Sequence, residues 1–114
     1  AGLDAKIGGR EIERLGRRGF VLLRDLPPHG LVVWGARTLR GDDDAAPSPD
    51  EYRYLAVRRL ALHVETSVER GTRWAAFEPN DEALWARLRV AVGDFLFGLW
   101  RQGALVGTKP EHAY

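Results

Sequence analysis

Few residues in this 114-residue sequence have a type and spacing that could support chemistry. There is no cysteine, which excludes disulfides, thiolate metal ligands and a cysteine nucleophile. The three histidines, His29, His63 and His112, form no metal-binding motif such as H-x-x-x-H or H-E-x-x-H. Ser48 and Ser67 are the two serines, and neither lies in the G-x-S-x-G turn of serine hydrolases. The sequence therefore predicts a protein that is not an enzyme and has no catalytic, cofactor or metal site.

Acidic side chains are concentrated in one segment. Residues 42–51 carry five acids and no base, and they begin with Asp42, Asp43 and Asp44. This triplet lacks the alternating spacing of a calcium-binding EF-hand loop. Residues 41–50 also contain two prolines and no large apolar side chain. We therefore expect an acidic, mobile surface loop over 41–50.

Charge and tryptophan placement argue against nucleic acid as a partner. The chain has 17 basic and 16 acidic residues, whereas nucleic-acid binders carry a marked basic excess or a basic stripe. The four tryptophans lie in apolar segments. Fifteen of the 17 basic residues are arginine, which suits forked ion pairs at interfaces, although a GC-rich genome would give the same excess. No apolar run approaches the ~20 residues that span a bilayer, so direct membrane insertion is not expected.

Hydrophobic periodicity predicts an α+β fold. The expected elements are a short helix over 9–18, strands over 20–26, 31–39 and 73–77, and helices over 56–70 and 81–102. Asn80 is the expected N-cap of the last helix, and Gly103 is its expected stop. Together these elements form a small mixed sheet of about three strands, packed by two main helices, in a single domain over 1–114.

The long helix over 81–102 has apolar side chains on two faces. One broad stripe begins at Leu84 and ends at Leu99, and a second group lies behind it: Val90, Phe97 and Trp100. Arg87, Asp94 and Arg101 form the one consistently polar strip. A surface helix of a monomer normally has a single apolar face. Either the domain wraps this helix or another chain covers the second group, and the small size of the chain favours the latter. Val90, Phe97 and Trp100 are therefore the predicted intersubunit contacts.

Several motifs occur in the order known from one family. They are LVVWGARTL (31–39), YRYLAVRRL (52–60), ERGTRWAAFEPNDEALWARLRVAVGDFLFGLWRQGALVGT (69–108) and PEHAY at the end. Residues 31–114 resemble the C-terminal conserved region of contractile tail sheath proteins, which occur in phages, R-type pyocins and other contractile injection systems. The preceding segment, which contains GREIERLGRRGF, matches loosely.

The resemblance implies a structural and mechanical subunit in a phage tail or a similar contractile particle, assembled in the bacterial cytoplasm. Such subunits polymerise helically around a rigid inner tube and contract to drive the tube through a target envelope. The implied partners are other sheath subunits, the inner tube protein, and baseplate and tail-terminator proteins. Sheet edges would be open to strands added by neighbouring subunits. Family members are usually several hundred residues long and position 1 is not Met, so we expect an excerpt of a longer protein.

A sheath must grip its tube and later release it, which suits exposed ion pairs of ~0.2–1 kcal/mol each. The predicted tube contacts are Arg87, Arg101 and Lys109, in what would be the tube-proximal domain. Alternatively, these side chains pair with Asp94 or with neighbouring sheath subunits. An alternative function is a small non-enzymatic α+β adaptor or interaction module of a phage or secretion particle.

Overall fold

The computed structural model describes residues 3, 5–41 and 51–114. Three α-helices and a two-stranded antiparallel sheet lie within this part, which confirms the α+β class. The chain forms two compact units, Ala1–Arg59 and Leu60–Tyr114. The acidic loop predicted over 41–50 lies, from Asp42 onward, outside the described residues.

The first unit contains helix α1 (Gly9–Arg17) and a β-hairpin of strands β1 (Leu22–Leu26) and β2 (Gly30–Trp34). A short turn containing a cis Pro27–Pro28 bond joins the strands. The register runs from Leu22 opposite Trp34 to Leu26 opposite Gly30. The predicted hairpin is therefore confirmed, and its strands are shorter than the sequence indicated.

The predicted strand over 31–39 divides its pairing between two partners. Only its first part pairs with β1. Beyond Trp34 the chain pairs instead with the residues before the next helix: the Thr38 N–H donates to the Arg53 carbonyl at 2.8 Å, and the Leu55 N–H donates to the Ala36 carbonyl at 2.8 Å. The Thr38 hydroxyl also donates to the Tyr52 carbonyl at 2.7 Å.

Gly19 allows the link between α1 and β1 to lie against this second pairing. It is buried, with φ +83°, and a Cβ at this position would collide with the Thr38 carbonyl oxygen. Only glycine combines this backbone conformation with so close an approach.

Helix α2 (Leu55–Gly71) begins in the first unit and continues into the second, close to the predicted range of 56–70. The i, i+3, i+4 spacing predicts one apolar face of this helix, from Val57 to Val68. Val57 is 44% exposed, and the other members are half-buried: Leu60, Ala61, Val64 and Val68. Within the described part of the chain, no helix combines the length and the apolar composition needed to cross a membrane.

The prediction of a third strand over 73–77 is wrong. Arg73–Phe77 forms a short 3₁₀ helix, so the sheet has two strands in the described residues. The Thr72 hydroxyl donates to the Val68 carbonyl at 2.7 Å, and the Ala75 N–H donates to the Thr72 carbonyl at 2.9 Å. These bonds continue the helical winding past α2. A short apolar run does not distinguish a strand from a helical turn by its periodicity alone.

Helix α3 (Glu82–Arg101) lies within the predicted range of 81–102. Its N-cap is Asp81 rather than Asn80, because the Asp81 carboxylate accepts the Leu84 N–H at 2.8 Å. The Asn80 side chain accepts the Trp85 indole N–H instead, also at 2.8 Å. Among the described residues, Leu84 is the one buried large apolar side chain, with 8% of its surface exposed.

Candidate assembly surfaces

The predicted intersubunit contacts on α3 lie in two different environments. Val90 is 63% exposed and Phe97 is 40% exposed, so both face solvent. Trp100 is half-buried: its ring lies 5.5 Å from that of Phe97, and its indole N–H donates to the Gly107 carbonyl at 2.8 Å. The structure therefore brings Phe97 and Trp100 together and leaves Val90 and Phe97 available to a partner.

The opposite stripe of α3 packs within its own unit. Leu84 is buried, and Leu88, Val92, Phe95 and Leu99 are half-buried. The Phe95 ring lies 5.9 Å from the His63 ring of α2. Because this stripe is occupied, Val90 and Phe97 form a second apolar surface, which we call the back face of α3.

The three predicted tube contacts also differ in their surroundings. The Arg87 guanidinium lies over the Trp74 ring, 4.4 Å from its centroid, and Nη1 is 3.5 Å from Oε1 of Glu78. Arg101 and Lys109 are exposed and form no ion pair in the described part of the chain. Asp94, the alternative partner considered from the sequence, likewise pairs with none of these cations there. Arg87 therefore has a structural role in its own unit, which the other two lack.

The hairpin presents an aliphatic face that sequence reasoning did not single out. Leu23 and Val33 lie opposite each other and are 61% and 67% exposed. Val21 and Leu31 are exposed beside them. On the other face, the Arg24 guanidinium lies 4.7 Å from the centroid of the Trp34 ring. FVLLRDL begins with four consecutive apolar residues, so its pattern could not show which face of the strand remains uncovered.

Arginine stacks on aromatic rings unusually often in this chain. Within residues 5–41 and 51–114, guanidinium-to-ring distances of 4.4–5.7 Å occur in four pairs: Arg24 with Trp34, Arg37 with Tyr54, Arg58 with Tyr52, and Arg87 with Trp74. About one such contact per 70–80 residues is typical. The arginine excess that favoured intersubunit pairing is thus partly used inside each unit.

No cluster of three or more histidine, aspartate or glutamate side chains is positioned to hold a metal ion in residues 3, 5–41 and 51–114. The surfaces that these residues offer are apolar faces and exposed cations, which suit contacts with other macromolecules.

Comparison with known proteins identifies the family. No protein-family model matches the sequence, and no curated protein is significantly similar to it. Solved structures are similar over nearly the whole chain. A chain in the cryo-EM structure of the anti-feeding prophage (AFP) baseplate, 6-fold symmetrised, is 35% identical over 95% of this chain, with a TM-score of 0.83.

Two further structures are sheaths in the contracted state. The sheath complex of PVC, an extracellular contractile injection system, is 36% identical over 95% of this chain, with a TM-score of 0.79. The AFP helical sheath is 32% identical over 96%, with a TM-score of 0.80. This chain belongs to the contractile sheath proteins.

The sheath chain spans 28–29% of the length of these three neighbours. The three neighbours are parts of phage-tail-like contractile particles, which supports a particle-associated location for this chain. For such a sheath chain, the back face of α3 and the aliphatic face of the hairpin are the candidate assembly surfaces. Arg101 and Lys109 are the candidate charged contacts, because both are exposed cations.

Proposed function

We propose that this chain is part of a structural and mechanical sheath subunit that polymerises helically around a rigid inner tube. Contraction of the polymer would drive the tube through a target envelope. The similarity to two contracted sheaths, at 32–36% identity over at least 95% of the chain, is the observation that carries this proposal. We place assembly in the bacterial cytoplasm, so intact particles are expected inside cells before they lyse.

Helical growth needs two different contact surfaces on each subunit, because head-to-tail contacts that do not close into a ring join unlike patches. The described part of the chain offers two exposed apolar surfaces. The hairpin contributes exposed Leu23 and Val33, and α3 contributes exposed Val90 and Phe97. Their apolar character supports their burial against neighbouring subunits.

The hairpin also supports strand addition by a neighbouring subunit. Its two strands pair with each other, and in the described residues no third strand pairs with either outer edge. Unpaired edge N–H and C=O groups are a template for an incoming extended segment. An isolated two-stranded hairpin is only marginally stable in water, so an added strand would also stabilise it.

The tube contacts are assigned first to Arg101 and Lys109. Both are exposed and free of ion pairs within the described range, so they can approach acidic groups on the tube without breaking a bond in the subunit. Arg87 can contact the tube only through the part of its guanidinium that stays exposed while it lies over the Trp74 ring. Each exposed pair is worth ~0.2–1 kcal/mol, so many pairs around a ring give a grip that can be released.

The test combines the substitutions Arg101→Glu and Lys109→Glu in the sheath protein of intact particles. We expect sheaths that assemble without a tube or contract prematurely, visible by cryo-EM. Arg89→Glu is the matched control, since Arg89 is an exposed arginine on the same helix but away from the polar strip. Normal extended sheaths around normal tubes in the double variant would show that the grip lies elsewhere.

Solution size separates this function from the adaptor alternative. A sheath chain is expected to form extended polymers or to associate without a fixed stoichiometry. An adaptor would give one small oligomer of defined mass. Light scattering coupled to size-exclusion chromatography distinguishes the two, and a single defined oligomer that never adds to a sheath would contradict the sheath proposal.

A further inference from the structure

The chain reverses direction directly after α3. Gly103 has φ +79°, and its N–H donates to the Trp100 carbonyl at 2.9 Å. The Ala104 N–H donates to the Leu99 carbonyl at 3.0 Å. This pair of bonds, with a left-handed glycine between them, is a Schellman cap. It directs residues 104–114, which we call the return segment, back along the end of the helix.

The return segment is folded on itself around Gly107. A Cβ at this position would come within 3.0 Å of Ala113, so a larger residue would displace that contact. The His112 N–H donates to the Lys109 carbonyl at 3.0 Å, which closes the 3₁₀ turn Pro110–His112. The Thr108 hydroxyl lies 3.3 Å from Nδ1 of His112. Lys109 therefore sits in an ordered turn rather than in an extended linker.

One side chain of α3 reaches this folded segment and bonds its backbone. The half-buried Trp100 donates its indole N–H to the Gly107 carbonyl at 2.8 Å. The bond joins the helix to the very residue on which Ala113 packs. It therefore holds the turn that contains Lys109 at a fixed place beside the end of α3.

The geometry points to Trp100 as the positioning residue for Lys109: its indole N–H fixes the return segment and so the place at which the Lys109 charge is presented. This inference rests on the proposed function in so far as Lys109 meets the tube. Trp100 thus acts inside its own subunit, and a neighbouring subunit docks on Val90 and Phe97 beside it. The contact between the Phe97 and Trp100 rings places the bond from Trp100 to Gly107 next to that docking surface.

The test uses hydrogen exchange on the full chain with Trp100→Phe, which keeps an aromatic ring but removes the N–H. A typical net hydrogen-bond contribution predicts a roughly 2- to 12-fold faster exchange of the amides at 112–114. Trp85→Phe is the matched control. It removes an indole N–H bond of the same 2.8 Å length at the other end of α3, and should leave exchange of the return segment unchanged. Gly107→Ala should also speed amide exchange in the return segment, because the added methyl group displaces Ala113.

Unchanged exchange of the return segment in both Trp100→Phe and Gly107→Ala would overturn the inference. Faster exchange throughout α2 and α3 would also overturn it, because Trp100 would then act as general packing. Faster exchange confined to 104–114 supports it.

A particle assay separates positioning from simple structural support. Lys109→Glu should reduce tube retention in the parent sheath and have little further effect in the Trp100→Phe background. Equal effects in both backgrounds would overturn the positioning role. If Lys109→Glu has no effect even in the parent, the proposed tube contact is wrong. The hydrogen-exchange data still decide independently whether Trp100 holds the return segment in place.

Discussion

The first turn of α3 depends on one carboxylate. Asp81 accepts the Leu84 N–H, and Leu84 is the buried side chain of its unit. We expect Asp81→Ala to lower the free energy of unfolding by ~0.5–2 kcal/mol, because a helix-start donor loses its acceptor. Asp81→Asn keeps an acceptor and should cost less. Chemical unfolding followed by circular dichroism measures both, and equal stability of Asp81→Ala and the parent would refute the cap.

Two glycines near the end of α1 should respond to alanine in opposite directions. Gly19 has φ +83° and no room for a Cβ beside the Thr38 carbonyl, so Gly19→Ala should destabilise the first unit by more than ~1 kcal/mol. Gly16 lies in helical backbone with nothing near its Cβ position, so Gly16→Ala should stabilise by ~0.4–1 kcal/mol. Thermal unfolding of the two variants provides the comparison. A stabilising Gly19→Ala would contradict the close approach.

At the scale of elements, Arg87 joins the 3₁₀ turn Arg73–Phe77 to α3. Its guanidinium stacks on Trp74 and pairs with Glu78, which follows that turn. A double-mutant cycle of Arg87→Ala and Trp74→Ala should give a coupling of ~0.5–2 kcal/mol in unfolding free energy. The same cycle with Arg101→Ala in place of Arg87→Ala should give none. Equal couplings in the two cycles would mean that the stack does not connect these elements.

Sequence reasoning located the elements with a long or distinctive pattern. Helices α2 and α3 and the hairpin follow from periodicity and from the Pro/Gly turn. The segment over 73–77 was misassigned because a five-residue apolar run carries no period. Its winding follows from local bonds of Thr72 with Val68 and Ala75, which an apolar pattern does not reveal. At the candidate surfaces, spacing on α3 predicted a second apolar group of Val90, Phe97 and Trp100. The first two are exposed, and the role of the group in intersubunit contact stays a prediction. The spacing could not show that Trp100 bonds Gly107, since that contact depends on the chain reversal at Gly103.

At the scale of the whole molecule, apolar side chains remain exposed that a stable monomer would cover. Phe77 is 93% exposed, and the back face of α3 and the hairpin face add to it. Burying a side chain of this kind contributes ~1.5–3 kcal/mol, so association should depend strongly on these residues. The expectation is concentration-dependent self-association of the chain, in line with a subunit whose final stability comes from its neighbours.

Val90→Ser and Phe97→Ser should each weaken this self-association by about tenfold or more, since ~1.4 kcal/mol corresponds to a factor of ten. Sedimentation velocity over a range of concentrations measures the shift. Arg89→Ser on the same helix is the control and should have little effect. If the two apolar substitutions leave association unchanged while Leu23→Ser or Val33→Ser reduces it, the hairpin face rather than α3 dominates the contact.

The four arginine–aromatic stacks have a consequence for how the chain responds to ionic strength. Exposed ion pairs weaken as salt screens them, over a Debye length of ~8 Å at physiological ionic strength. A guanidinium that lies 4.4–5.7 Å from a ring centroid is also attracted by the ring quadrupole at short range, where salt screens it little. Concentrated salt should therefore strip a subunit of charge-based contacts with other molecules before it disturbs the subunit's own interior. Salt should also loosen the proposed tube contacts of Arg101 and Lys109 before it separates subunits that are joined through apolar faces.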